Sequence, residues 1–188
     1  LTSTDKAVNP TNVMGASKLM GEQLIRAANL ESQEQSFFST RFGNVLGSQG
    51  SVVPIFSWQI ANGGPVTITS NEMTRFVMTL DDAVEMLLGS VELASGGEVF
   101  VTKMKAISVR SLVEVMIEKL APQYGFDPSS VRIEEIGARP VEKYFEELMT
   151  DEEVRRTLEL EKYFVIKPAL SDIYHSEDNQ YPDVLETS

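Results

Sequence analysis

The stretch 3–18, STDKAVNPTNVMGASK, decides how the rest of the chain is interpreted. Thr4, Asp5 and Lys6 follow a short apolar start at Leu1, where a strand is expected to give way to a loop. Open α/β sheets keep their chemistry at such carboxyl ends of strands. The three polar side chains are therefore candidate catalytic groups, although an Asp–Lys pair in a solvated turn has the same local sequence.

A helix is predicted to follow this turn. Asn9 and Pro10 indicate its start, because Asn caps free backbone N–H groups and Pro has no N–H to leave unpaired. On the helix, Met14 and Lys18 lie one turn apart on one face. We therefore expect Lys18 to be directed back at the strand end that carries Asp5.

The charge and the composition limit the kinds of partner. The 188 residues contain 16 Lys+Arg against 28 Asp+Glu, a net charge of −12, which disfavours nucleic acid or an anionic membrane surface as the main partner. There is no Cys, which fits a reducing cytoplasm. The single His175 lies in a polar segment, and we expect a surface residue and no metal site.

The ends of the sequence suggest that it is a fragment. No apolar run of about 18 residues is present, so no membrane span is predicted. The first residue is Leu, and the chain begins inside an expected strand. We therefore expect the carboxyl-terminal part of a longer protein whose missing part could carry a membrane anchor.

The pattern along the chain predicts alternating helices and strands. The helix over 11–30 is expected to bury Val13, Met20, Leu24 and Ala27 or Ala28, and strand 36–41 follows it as the second half of a βαβ unit. A loop is expected at 42–50. Ser51 is expected to cap a helix over 52–62.

The second half continues in the same way. A helix over 81–93 is expected to bury a stripe of Ala83, Val84, Leu87, Leu88 and Val91. The remaining predictions are strands 66–69, 98–102 and 131–136, a helix from the Ser108 cap to Ala121, a short helix opened by a Thr150–Glu153 capping box, and a frayed polar tail over 171–188.

These motifs together carry a family likeness. STDKAVNPTNVMGASK is followed in order by TRFGNVLGSQGSVVP, GGPVTIT, MTRF and GARPVEK. Residues 1–170 thereby resemble the extended short-chain dehydrogenase/reductases, and more narrowly the nucleotide-sugar 4,6-dehydratases of the UDP-N-acetylglucosamine type. The resemblance implies an α/β fold: the carboxyl-terminal part of a Rossmann-like, doubly wound parallel sheet with a small α/β substrate-binding subdomain.

Two departures from the family pattern stand out. The Gly-rich dinucleotide fingerprint and the first strands of the family's sheet are expected before Leu1, so cofactor binding by these residues alone is in question. Met14 stands where the family usually has the Tyr of Tyr-x-x-x-Lys, and a thioether neither gives nor takes a proton. The base for the sugar's 4-hydroxyl is therefore unassigned.

The resemblance implies an internal redox reaction on the sugar. Hydride leaves carbon 4 for NAD or NADP, water is eliminated across carbons 5 and 6, and hydride returns to carbon 6, with or without epimerisation at carbon 5. In that scheme Asp5 is the acid for the 6-hydroxyl, Lys6 the base at carbon 5, Thr4 orients the 4-hydroxyl and Lys18 holds the nicotinamide ribose. A neighbouring Lys18 cation would help Lys6 act as a base.

The resemblance also implies a UDP-sugar substrate. Arg75 and Arg139 are candidates for its pyrophosphate, because guanidinium groups bind phosphate oxygens through paired hydrogen bonds. Surface salt bridges are the plain alternative for both. The other candidate substrate-binding residues are Asn44, Ser51 and Val52 for phosphate or uracil, Thr67 and Thr69 for uridine, and Glu142 for ribose.

Three functions remain open from the sequence. The first is the 4,6-dehydratase, the second a UDP-sugar 4-epimerase, and the third a non-catalytic sugar-nucleotide-binding fragment. Paired acid and base favour the dehydratase, because epimerisation needs no elimination. In each case we expect a cytoplasmic homo-oligomer with no membrane contact from this segment.

Overall fold

The computed structural model describes residues 1–32, 36–48, 50–138, 140–169, 181 and 184–185. The elements in chain order are β1 (Thr2–Thr4), a 3₁₀ turn (Asp5–Ala7), α1 (Val13–Glu31), β2 (Ser39–Phe42), β3 (Asn44–Val45), α2 (Val52–Ala61), β4 (Val66–Ile68), β5 (Thr74–Met78), α3 (Leu80–Leu93), β6 (Val99–Thr102), β7 (Lys105–Ser108), α4 (Val109–Leu120), 3₁₀ turns at Ala121–Tyr124 and Pro128–Ser130, β8 (Ile133–Glu135), α5 (Asp151–Val154), β9 (Thr157–Glu159) and β10 (Tyr163–Ile166). They form two compact units. Unit 1 contains Leu1–Gly43, Leu80–Met104 and Glu147–Ser188, and unit 2 contains Asn44–Thr79 and Lys105–Glu146.

Unit 1 is built on a five-stranded sheet in the order β1-β2-β6-β10-β9. The first three strands are parallel, with Ser3 opposite Arg41 and Ser39 opposite Val99, which confirms the predicted βαβ arrangement. β10 runs antiparallel to both β6 and β9, and neither β9 nor β10 was predicted. The apolar side chains of β6 and β10 form a buried core, because strands between two neighbours have little contact with water.

Unit 2 has two small sheets and a helical core. β4 pairs with β8 in parallel, which confirms the strands predicted near 66–69 and 131–136. A second sheet has the order β3-β5-β7, and its strands were not predicted; β3 lies inside the expected loop 42–50. The core joins α2 and α4 to β4 through Phe56, Ile60, Val66, Val113 and Ile117.

The start of α1 differs from the prediction. Asn12 is the N-cap, and its side-chain oxygen accepts a hydrogen bond of 2.9 Å from the backbone N–H of Gly15. Asn9 instead has a left-handed backbone, with φ 43°. The helix therefore begins three residues later than Asn9-Pro10 indicates, because the second Asn is the one whose side chain reaches a free N–H.

The predicted buried face of α1 is wrong. Val13, Met20 and Leu24 are 86%, 66% and 64% exposed. The buried positions are Gly15 and Glu22, two turns apart on another face. The periodicity correctly indicates an apolar face, but that face does not cover the sheet of unit 1.

The stripe predicted for α3 is also mostly wrong. Only its Ala83 is buried, whereas Val84, Leu87, Leu88 and Val91 are exposed. The buried face consists of Ala83, Met86 and Ser90, at positions i, i+3 and i+7. The small side chains of Ala83 and Ser90 let the helix lie close to the sheet, so the buried face is rotated away from the larger aliphatic residues.

The predicted caps have mixed outcomes. The Ser108 hydroxyl caps α4, and the Thr150–Glu153 capping box opens α5, as predicted. α2 begins directly after Ser51, but the Ser51 hydroxyl makes no capping hydrogen bond.

The structure describes only three residues of the predicted frayed tail. One of them, Tyr181, is buried, and its hydroxyl donates a hydrogen bond of 2.8 Å to Glu98. His175 lies outside the described residues. Among the described helices, none is both long and apolar enough to cross a membrane.

Candidate active site

The turn after β1 brings three candidate catalytic side chains into one hydrogen-bonded group. Thr4 is the N-cap of the 3₁₀ turn and its hydroxyl accepts from the Lys6 backbone N–H. The same hydroxyl donates to Asp5 Oδ1 at 2.8 Å, and Lys6 Nζ donates to Asp5 Oδ1 at 2.9 Å. The predicted juxtaposition of Thr4, Asp5 and Lys6 is therefore present in the structure.

Asp5 has an unusual environment for a charged residue. Its side chain is fully buried, whereas Lys6 is 25% exposed. One oxygen, Oδ1, receives both hydrogen bonds, and the other, Oδ2, is buried with no hydrogen-bond partner among the described residues. A buried carboxylate oxygen without a partner is costly, so it marks a position where a ligand donor or a bound proton is expected.

Helix α1 contacts β1 through Lys18, but at Thr2, the first residue of the strand, and not at the end that carries Asp5 as predicted. Lys18 Nζ donates to the carbonyl of Thr2 at 3.1 Å, which leaves two of its three N–H donors for a ligand. The helix also comes very close to the turn: a Cβ added at Gly15 would lie 2.1 Å from the carbonyl oxygen of Lys6. Met14 is 47% exposed and offers no proton-transfer group.

A cavity of about 340 Å³ in unit 2 gathers most of the predicted substrate residues. Its lining includes Asn44, Ser51, Val52, Thr67, Thr69, Arg75 and Glu142. Arg139, the eighth predicted residue, lies outside the described residues. The cavity is lined mainly by apolar side chains with a few polar groups, which is typical of a small-molecule site.

The charged groups of the cavity are engaged with each other. Arg75 Nη2 lies 3.5 Å from Glu142 Oε1, and Arg75 Nη1 donates to the carbonyls of Thr74 and Tyr144 at 2.7 and 3.2 Å. A phosphate bound to Arg75 would compete with the Glu142 carboxylate for the guanidinium. The neighbouring Val141 has a left-handed backbone, with φ 64°.

Hydrogen bonds within unit 2 fix two of the predicted polar side chains of the cavity. The Thr67 hydroxyl accepts from Gln59 Nε2 at 2.8 Å, and its backbone N–H donates to Gln59 Oε1 at 3.1 Å. Asn44 Nδ2 donates to the carbonyl of Phe76 at 2.9 Å. The Thr67 hydroxyl keeps its own hydrogen as a donor, so it remains able to bind a ligand oxygen.

Sequence reasoning missed the residues that support the turn. Ser3, Glu22 and Arg41 form a buried hydrogen-bonded cluster behind it. The available signal was Glu22, a charged residue two turns after Gly15 on the same face of α1. In the described part of the chain there is no cluster of acidic, His or Cys residues that could hold a metal.

Proteins from several other organisms are similar in sequence to most of this chain. A protein of Methanocaldococcus jannaschii, named as an uncharacterized membrane protein, is 47% identical over 95% of this chain and 56% of its own length. A UDP-N-acetylglucosamine 4,6-dehydratase (inverting) of Campylobacter jejuni is 37% identical over 94% of this chain and 50% of its own length. A UDP-glucose 4-epimerase of Rickettsia bellii is 40% identical over 87% of this chain and 47% of its own length. The chain thus spans about half the length of these relatives.

Solved structures define the fold class. Pen from Bacillus thuringiensis matches with a TM-score of 0.84 at 45% identity, over 90% of this chain and 52% of that one. The dTDP-glucose 4,6-dehydratase DesIV from Streptomyces venezuelae, solved with NAD bound, matches with a TM-score of 0.66 at 18% identity. The match covers 82% of this chain and 52% of DesIV. The fold is therefore the Rossmann-like α/β fold of the nucleotide-sugar short-chain dehydrogenase/reductases. Within that class, the chain belongs to the polysaccharide biosynthesis protein family, whose model matches residues 1–168.

Proposed function

We propose that the chain works in a nucleotide-sugar 4,6-dehydratase that acts on a substrate of the UDP-N-acetylglucosamine type. The observation that carries this proposal is the arrangement of Asp5, whose Oδ1 accepts hydrogen bonds from Thr4 and Lys6. Its second oxygen, Oδ2, is buried and has no hydrogen-bond partner among the described residues. Loss of water from carbons 5 and 6 needs an acid and a base, and this turn offers both.

Asp5 is suited to protonate the departing 6-hydroxyl. Because Oδ1 already accepts hydrogen bonds from Thr4 and Lys6, a proton on the carboxyl belongs on Oδ2. Oδ2 is the oxygen without a partner among the described residues, so it is the one free to give that proton to a ligand oxygen. The group leaves as water when the proton is transferred.

Lys6 is suited to remove the proton on carbon 5. It must be neutral to do so, and in the observed hydrogen bond it is the donor to Asp5 Oδ1, at 2.9 Å. When hydride returns to carbon 6, carbon 5 must regain a proton, and the Lys6 ammonium can give back there the proton that it took, which returns Lys6 to its neutral state. The proton released from the 4-hydroxyl when carbon 4 is oxidised balances the one that Asp5 gives to the leaving group, so that the whole reaction releases only water.

The dehydratase reaction also needs a nicotinamide cofactor, which when bound accepts a hydride from carbon 4 and gives it back at carbon 6. Lys18 fits the role of holding the nicotinamide ribose, because its ammonium group has two donors left after its bond to Thr2. The 188 residues contain no Gly-x-Gly-x-x-Gly sequence for the cofactor's pyrophosphate. NAD and NADP are both compatible with Lys18.

Unit 2 is the proposed binding site for the UDP group. The cavity lined by Asn44, Ser51, Thr67 and Arg75 combines apolar walls with polar groups for uracil and phosphate. We propose that Arg75 binds the pyrophosphate and that Glu142 accepts hydrogen bonds from the ribose hydroxyls once a phosphate has replaced it as a partner of Arg75. Arg139 is proposed as a second phosphate ligand on the sequence motif alone.

A UDP-sugar 4-epimerase is the second candidate, favoured by the Rickettsia bellii relative at 40% identity. Epimerisation inverts carbon 4 and eliminates nothing, so it gives the Asp5–Lys6 pair no task. A non-catalytic sugar-nucleotide-binding role is the third candidate. We propose a cytoplasmic homo-oligomer in each case.

Product analysis separates the three. The complete gene product is incubated with UDP-N-acetylglucosamine and either NAD or NADP, and the sugar products are identified by nuclear magnetic resonance. We expect a 6-deoxy-4-keto sugar. Conversion to the 4-epimer would support the second candidate, and binding of UDP-sugar without turnover would support the third.

A further inference from the structure

A buried ionic cluster lies behind the candidate catalytic turn. The Ser3 hydroxyl donates to Glu22 Oε1 at 2.6 Å. Arg41 grips the same carboxylate with two parallel hydrogen bonds, Nε to Oε1 at 2.9 Å and Nη2 to Oε2 at 2.7 Å. Glu22 is fully buried, and Ser3 and Arg41 are only 5% and 1% exposed.

The cluster holds Glu22 in one orientation. Arg41 also binds Glu153 through two hydrogen bonds of 2.9 and 2.7 Å, so its planar guanidinium is fixed between two carboxylates. A buried carboxylate is tolerated only when it is paired in this way. Because both oxygens of Glu22 are bound, the oxygen that receives the Ser3 hydroxyl has little freedom to move.

The position of the cluster in the chain connects it to the candidate catalytic groups. Ser3 immediately precedes Thr4 and Asp5, and Glu22 lies one helical turn beyond Lys18 on α1. Ser3 also stands opposite Arg41 in the ladder between β1 and β2. The Ser3–Glu22 hydrogen bond therefore joins the strand that leads into the turn to the helix that carries Lys18.

From this geometry we infer that Glu22 is a positioning residue that acts through Ser3. The hydrogen bond sets how β1 lies along α1, and so fixes the turn of Thr4, Asp5 and Lys6 relative to Lys18. The expected kinetic consequence rests on the proposed dehydratase function, whereas the positional consequence does not. A cluster that only stabilised the fold would leave the turn and the turnover unchanged when this one hydrogen bond is removed.

The test removes the Ser3 hydroxyl and leaves the Arg41 pair intact. Ser3→Ala in the complete gene product is compared with the wild type and with Ser90→Ala, a matched control that deletes another buried hydroxyl in unit 1, bonded to the Leu87 carbonyl at 2.9 Å. Two quantities are measured: amide hydrogen exchange of the peptide over residues 4–8, and kcat and KM for UDP-N-acetylglucosamine.

In Ser3→Ala we expect exchange in this peptide to be roughly 2- to 10-fold faster, the range of one hydrogen bond. We expect kcat to fall roughly 10- to 100-fold with KM little changed, since a misplaced catalytic group costs turnover. Ser90→Ala should alter neither. Unchanged exchange in Ser3→Ala, equal acceleration in Ser90→Ala, or faster exchange with wild-type kcat would each overturn the inference. If the wild type converts no UDP-sugar, the proposed function fails, and the exchange comparison alone decides whether Glu22 positions the turn.

Discussion

Val141 is a residue in an unfavourable backbone conformation. Its φ of 64° lies in the left-handed region, which a β-branched side chain adopts only at a cost. The side chain is 64% exposed, so little packing compensates for that cost. Gly adopts such a left-handed φ at no steric cost, so this loop has a backbone suited to Gly although it carries Val.

Val141→Gly is therefore expected to stabilise the protein. The free energy of unfolding should rise by about 1 kcal/mol, because relief of the left-handed strain outweighs the extra freedom of Gly in the unfolded chain. Urea denaturation measures the change. Val91→Gly, at an exposed position of α3, is the matched control and should destabilise by about 0.5 kcal/mol, because Gly is a poorer helix former than Val. A less stable Val141→Gly protein would contradict the strain argument.

Lys6 is the residue whose loss should separate elimination from binding. In Lys6→Met of the complete gene product, exchange of the carbon-5 proton with solvent deuterium and formation of the 6-deoxy-4-keto product should fall about 10²- to 10⁴-fold, the usual contribution of a general base. KM for the UDP-sugar should change little. Lys119→Met, at an exposed ion pair of α4, is the control. Normal carbon-5 exchange in Lys6→Met would show that the base lies elsewhere.

At the level of elements, the sequence predicts which helices and strands form better than it predicts which of their faces are buried. The capped helices and the parallel strands β1, β2 and β6 are visible because their signals are local. The faces of α1 and α3 are not, because periodicity identifies an apolar face without saying what covers it. In the same way, Thr4, Asp5 and Lys6 could be predicted as contiguous residues, whereas the Arg41–Glu153 pair joins positions too distant in sequence for any local pattern.

The contact between α1 and the catalytic turn depends on Gly15. In Gly15→Ala the new Cβ would lie 2.1 Å from the Lys6 carbonyl oxygen, so the helix and the turn must separate. We expect a loss of roughly 1 to 3 kcal/mol in stability, as for other overpacked sites, together with a lower kcat.

Gly21→Ala on the same helix is the control with the opposite expected sign. Its Cβ would lie 3.1 Å from the flexible end of the half-exposed Leu1 side chain, which can move aside. Replacing Gly by Ala inside a helix then stabilises by up to about 1 kcal/mol. Chemical denaturation gives the free energy of unfolding of both variants. Equal changes of the same sign would show that Gly15 is not required for the close contact between α1 and the turn.

The link between α5 and β2 should make stability depend on pH. Burial, the largest single effect, raises the pKa of Glu153, but the hydrogen bonds and charge of Arg41, the Thr150 backbone N–H and the charge of Arg156 together outweigh it and hold that pKa below its usual value of 4.5. The folded protein therefore binds the proton less readily than the unfolded chain. The stability that Glu153 contributes is fully present above about pH 4.5 and is lost as the pH falls through the lower folded pKa.

Glu153→Gln tests this dependence. The variant should be less stable at neutral pH, and its free energy of unfolding should fall less steeply than that of the wild type below pH 4.5. Urea denaturation at several pH values provides the measurement. Glu118→Gln, at an exposed position of α4, should keep the wild-type slope. Parallel slopes in the wild type and Glu153→Gln would contradict the assignment.

On the scale of the whole molecule, exposed apolar faces and a strong negative charge act against each other. Val13, Met20 and Leu24 of α1, and Leu80 and Leu88 of α3, are large and mostly exposed. Contiguous exposed apolar surface favours association, whereas a net charge of −12 opposes it through repulsion.

The 188-residue chain is therefore expected to self-associate, and more strongly as salt screens the repulsion. Light scattering at low and high salt measures the mass. Met20→Lys, within the exposed face of α1, should weaken association, whereas Val115→Lys, at an exposed position of α4, should not. A monomer at both salt concentrations would contradict this expectation.

The place of β10 in the sheet has a consequence during synthesis. β10 covers the edge of β6, yet the ribosome makes Tyr163–Ile166 only after both segments of unit 2. Throughout that interval the apolar strand β6 has an open edge, which is the kind of surface that other nascent chains and chaperones bind. The sheet can close only once Tyr163–Ile166 has been made, so the open edge of β6 is a site for aggregation in every shorter chain.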